Sequence, residues 1–101
     1  MEIELTGEKK LLTVRINGEL DHHSAYEIRT ATERELRRTG AINIAFDFSG
    51  LTFMDSSGIG VIMGRYKTVT ALGGRIVIFG MSKETERIIR MAGIDKIADI
   101  Y

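Results

Sequence analysis

The chain has 101 residues, 44% of them hydrophobic, with 14 Lys plus Arg balanced by 14 Asp plus Glu and no cysteine, proline or tryptophan. That length supports one hydrophobic core, and no Ser-, Gly- or Pro-rich stretch divides it, so residues 1–101 read as a single domain. Zero net charge without a five-residue basic block argues against nucleic-acid binding, and the longest uncharged run, Ser56 to Gly64, falls far short of the roughly 18 residues that span a membrane.

The acidic start, Met1-Glu2-Ile3-Glu4, lacks the profile of a secretory signal, and there is no cysteine framework; a cytoplasmic address is expected. Ile3 and Leu5, then Leu12, Val14 and Ile16, alternate with polar residues on either side of Gly7-Glu8-Lys9-Lys10, which reads as an antiparallel strand pair joined by a turn. Gly18 to Ser24 reads as a loop. Ser24 with Glu27 has capping-box spacing and opens a helix to about Arg38, with Asp21 competing for the cap; Thr39-Gly40 closes it.

Ala41 to Phe48 alternates as a strand, and Ser49 to Asp55 reads as a connection. Ser56 or Asp55 caps a second helix with a core stripe of Ile59, Ile62, Met63, Tyr66 and Val69, stopped by Gly73-Gly74. Ile76 to Phe79 is apolar on both faces, as in a parallel strand covered by helices. Ser82 caps a last helix whose Ile88, Ile89, Met91 and Ala92 read as core, Gly93 closes it, and Ile97 to Tyr101 reads as a short edge strand. The order predicts an α/β fold: a small mixed sheet, an antiparallel N-terminal pair followed by parallel crossovers, packed with helices.

Two segments stand apart chemically. In Phe53-Met54-Asp55-Ser56-Ser57-Gly58-Ile59-Gly60, two hydroxyls precede a helix in which Gly58, Gly60 and Gly64 each cost on the order of 1 kcal/mol against alanine. Either Ser56 is only an N-cap and the glycines only permit close packing, or the glycines leave a side-chain-poor face on which another protein lies. In Gly18-Glu19-Leu20-Asp21-His22-His23-Ser24, adjacent histidines on one short segment are a poor metal site. An Asp-His-Ser hydrolase can be written from Asp21, His22 or His23, and Ser56, but the Gly-x-Ser-x-Gly elbow is absent. No phosphate-cradling glycine motif occurs.

These segments, with Val61-Ile62-Met63-Gly64-Arg65-Tyr66-Lys67, Gly73-Gly74 and Met91-Ala92-Gly93-Ile94, resemble the anti-sigma factor antagonists of the STAS domain family, on its sporulation branch. The resemblance covers essentially the whole chain. It implies a binding module, not an enzyme, with no cofactor or metal of its own. It also implies that Ser56 is phosphorylated by the partner, an anti-sigma factor that is itself a serine kinase using ATP, and that a serine phosphatase reverses this. Asp21 is carried over as a contact to the kinase's basic surface. The mechanism expected from the residues themselves adds Glu19 as a second acid at that contact and Ser57, Gly58, Ile59 and Gly60 as the docking face. On this reading Asp21→Ala loses affinity with folding intact. A stress-response circuit would use the same serine with another kinase.

Overall fold

The computed structural model describes residues 1–6 and 10–101, and the expected turn Gly7-Glu8-Lys9-Lys10 lies, all but Lys10, outside the described residues. Strands β1 (Glu2–Thr6) and β2 (Leu11–Arg15) pair antiparallel as their alternation predicts. The chain continues through β3 (Gly18–Leu20), α1 (Ala25–Thr39), β4 (Asn43–Asp47), β5 (Leu51–Met54) and α2 (Ser56–Ala71). It ends with β6 (Ile76–Phe79), α3 (Lys83–Met91), a single 3-10 turn (Ile94–Lys96) and β7 (Asp99–Ile100).

The main sheet has the order β1-β2-β4-β6-β7, with every pair after the first parallel. Its register places Ile3, Val14, Phe46, Ile78 and Ile100 in one row across the strands, and Leu12, Ile44 and Ile76 in the next row on the same face. Leu12, Val14, Ile44, Phe46, Ile76 and Ile78 of these rows are fully buried, in one continuous core with Ile28 and Leu36 of α1, Val61, Ile62 and Val69 of α2, and Ile89 of α3, while Ile3 and Ile100 at the edges pack against it partly buried. Burying such aliphatic side chains, at roughly 1.5–3 kcal/mol each, is the main force holding the layers together.

The opposite face differs from expectation. Val77 and Phe79 are half-buried where Ile76 and Ile78 are buried, so β6 is not covered equally on both faces. A polar row crosses that face instead: Glu2, Arg15 and Asp47 are register partners, with Arg15 Nη1 at 2.8 Å from Glu2 and Arg15 Nε at 2.9 Å from Asp47. Asp47 also accepts hydrogen bonds from the Ser49 N–H at 3.0 Å and the Ser49 hydroxyl at 2.7 Å, tying the end of β4 to the chain that leads into β5.

Two expected loops are strands. Gly18–Leu20 and Leu51–Met54 pair parallel as a separate two-stranded sheet. They have only three and four residues, burial patterns without clean alternation and a register shift between Gly18 and Glu19, so no period-2 signal marks them. Helix ends follow the sequence more closely. Gly40 caps α1 in the left-handed conformation at φ 74°, and the Ser82 hydroxyl accepts the Thr85 N–H at 3.1 Å. On α3 the expected core residue Met91 is 81% exposed, because Ile89 alone of that stripe points fully inward.

Candidate functional site

The short sheet explains how two segments 34 residues apart in sequence meet. Leu20 and Met54 are register partners at the ends of parallel strands, and adjacent strands lie about 4.8 Å apart, so Asp21 and Asp55 leave the sheet side by side. Each then caps a helix. The Asp55 carboxylate accepts the Ser57 N–H at 2.8 Å. Asp21 accepts the His23 and Ser24 N–H groups at 3.0 and 3.1 Å, and its carbonyl accepts from Ala25 at 2.9 Å. The helices therefore start from one end of the molecule.

This geometry decides the two open caps. Ser24 forms no capping hydrogen bond and the expected box with Glu27 does not close; its hydroxyl instead donates to the Glu19 carbonyl at 2.9 Å, folding the loop back onto β3. The Ser24 and His23 amides and the Ser24 hydroxyl hold the Asp21 carboxyl below the ordinary carboxylate range, against the opposing effect of desolvation. Ser56 is likewise no cap. It is the first residue of α2, exposed, and its hydroxyl has no hydrogen bond among the described residues. Ser57 is half-buried beside it.

The expected docking residues divide. Gly60 is exposed and a methyl group there would meet nothing within 4 Å, whereas Ile59 is half-buried against the core. Gly58 is no part of a surface: it is buried, and an added Cβ would crowd Met54 and stand 3.0 Å from Leu20 Cγ. Its glycine lets α2 sit down on β3 and β5. Glu19 is exposed opposite Phe53 in the short sheet, and Glu19, Asp21 and Asp55 take part in no salt bridge among the described residues.

Two exposed aromatics at this end were not singled out by the sequence reading. Phe53 is 49% exposed, and Tyr26 is 68% exposed with Arg29 over its ring at 5.4 Å. Tyr26 and Arg29 line, with Ala25, Ser57, Gly60 and Val61, a groove of about 310 Å³ between α1 and α2. Only their exposure, which a three-dimensional neighbour decides, distinguishes them from core aromatics. His22 and His23 are exposed, with ring centroids 3.9 Å apart, and neither hydrogen-bonds to Ser56. Among the described residues no three His, Cys, Asp or Glu side chains gather around a common point.

The family model of the STAS domain matches residues 2–101. The chain is 37% identical over 101 residues to an anti-sigma F factor antagonist of Paenibacillus polymyxa, covering all of this chain and 86% of the relative. It is 27% identical over 89 residues to an anti-sigma-B factor antagonist of Listeria monocytogenes, covering 88% of this chain and 77% of the relative. Among solved structures it is similar to the anti-sigma factor antagonist SpoIIAA in its unphosphorylated form, with a TM-score of 0.80 at 26% identity over 99% of this chain and 86% of the other. The phosphorylated form of SpoIIAA, a Bacillus cell fate determinant, gives a TM-score of 0.79 at 27% identity over 99% and 89%. A family match along essentially the full length, with a relative of this identity and coverage, means that the chain belongs to the STAS domain family, among its anti-sigma factor antagonists.

Proposed function

We propose that the unphosphorylated chain binds an anti-sigma factor that is also a serine kinase, frees the sporulation sigma factor held by it, and is switched off by phosphorylation of Ser56 and restored by a serine phosphatase. The observation that carries this reading is the placement of Ser56: exposed at the start of α2, with the capping role taken by Asp55, its hydroxyl is free to accept a phosphoryl group without cost to the helix. Glu19 and Asp21 supply the charge that meets a basic surface on the kinase, and Ser57, Ile59 and Gly60 the contact face around the acceptor. Gly58 supports that face from beneath.

Phosphorylation adds about −1.5 to −2 charge beside Asp55 and Asp21, where no salt bridge among the described residues offsets it. Repulsion and lost contact then release the partner without refolding. In support, the chain matches the unphosphorylated and phosphorylated relatives equally well, at TM-scores of 0.80 and 0.79. The higher identity to the anti-sigma F antagonist than to the anti-sigma-B antagonist favours the sporulation circuit over a stress-response one.

The test is peptide-level mass spectrometry after incubation with an anti-sigma F kinase and ATP. One phosphate on Ser56, absent from Ser56→Ala, is the expected result. Binding without any phosphate would remove the switch.

A further inference from the structure

The contact between α1 and α2 changes character along its length. At the shared N-terminal end lies the groove lined by Ala25, Tyr26, Arg29, Ser57, Gly60 and Val61, and Gly60 contributes no side chain to fill it. Apolar packing there rests on Ala25 and Ile28 against Val61 beneath an open groove, and leaves room for the helices to tilt. Further along, Glu33 of α1 meets Arg65 of α2, Nε to Oε1 at 2.7 Å, and the Thr68 hydroxyl donates to the same Glu33 oxygen at 2.8 Å.

Arg65 is an odd residue to find there. It is only 6% exposed, its Nε–H lies off the line to Glu33 so that the contact is an ion pair, and Nη1 has no acceptor among the described residues. Burial pushes the guanidinium's pKa down, Glu33 offsets part of this, and Arg29 adds to the penalty. A buried pair with unfilled hydrogen-bonding capacity is commonly matched or exceeded in stability by an apolar pair of similar volume. Stability alone does not account for it.

Resting on the function proposed above, we propose that the Glu33–Arg65 pair, steadied by Thr68, is a positioning clamp: the β3–β5 pairing brings Asp21 and Ser56 to one end, and the pair fixes the angle between α1 and α2 and so refines the placement of Asp21 against Ser56. The lever is long. Asp21 is twelve residues from Glu33 and Ser56 nine from Arg65, roughly 18 and 14 Å at 1.5 Å per residue, so a 5° tilt of α1 about the pair moves its capping end by about 1.5 Å. Displacements of that size, taken up where the chain leaves β3, degrade a charge contact while the five-stranded sheet stays in place.

The experiment compares the wild-type chain with Glu33→Met/Arg65→Met, which removes the charges and keeps the volume. Thermal midpoint and calorimetric affinity for an anti-sigma serine kinase are measured, each with and without Asp21→Asn, which keeps a capping oxygen but not the charge. The double variant is expected to melt at or above wild type and to bind more than about five-fold more weakly; Asp21→Asn is expected to cost about ten-fold in wild type and under about three-fold in the double variant. Wild-type affinity in the double variant, an equal Asp21→Asn effect in both backgrounds, or loss of the folded state would each overturn the clamp. A kinase that fails to bind even the wild-type chain would count against the proposed function instead.

Discussion

Asp55 relieves Ser56 of the capping work that would otherwise tie up its hydroxyl. Ser56→Ala is therefore expected to leave the thermal midpoint unchanged within about a degree while abolishing phosphorylation, whereas Asp55→Ala loses about 1 kcal/mol through the cap, as denaturant titration would show. Asp21 combines two roles, so the expectation that Asp21→Ala leaves folding intact is revised: removing its oxygen orphans the His23 and Ser24 amides. Asp21→Ala should lower both midpoint and kinase affinity, and Asp21→Asn affinity alone. At Asp47, burial pushes the carboxyl up, but the Ser49 amide, Arg15 and the Ser49 hydroxyl outweigh it and leave the pKa low. A depressed folded value means that this stabilisation is fully present above the unfolded pKa of about 3.9 and is lost as pH falls through the folded value below it. Asp47→Asn should thus weaken the fold at neutral pH by about 1–3 kcal/mol and flatten the acid limb of a stability-against-pH curve.

Among the elements, the long ones were legible from periodicity and the short ones were not. Val14, Ile44, Phe46, Ile62, Val69 and Ile78 all fall in the core where alternation or helical spacing puts them. The strands at Gly18–Leu20 and Leu51–Met54 were hidden because three or four residues hold too few repeats to show a period, and their pairing is non-local. That pairing is what brings Asp21 to Ser56, so the sequence presents the site as two separate segments. Nothing in the sequence around Arg65 marks it as buried, and only Glu33 on a neighbouring helix accounts for its place in the interior. The α2 glycines also separate by surroundings. Gly58→Ala should cost about 1–3 kcal/mol by overpacking against Leu20 and Met54, while Gly60→Ala, in open space within a helix, should gain about 0.5–1 kcal/mol. Chemical denaturation of the pair would show opposite signs, and weaker kinase binding by the stabilised Gly60→Ala would place the docking face over that residue.

For the whole molecule, zero net charge conceals an uneven distribution. Glu19, Asp21 and Asp55 share the end from which both helices start, with no salt bridge among the described residues to neutralise them. Association with a basic partner should accordingly slow several-fold between about 50 and 500 mM salt, with dissociation changing less, in stopped-flow measurements. The sheet's topology has a consequence in time. Leu12 pairs with Ile44 and Ile44 with Ile76, so β4 and then β6 each arrive 32 residues after the strand they join. At roughly 5–20 residues per second, a growing chain that has already made Ser56 waits a further one to four seconds for Ile76. Until then β4 lacks its second neighbour and the layer beneath the helices is unfinished, so the helix that carries Ser56 is made before the sheet it packs on can close.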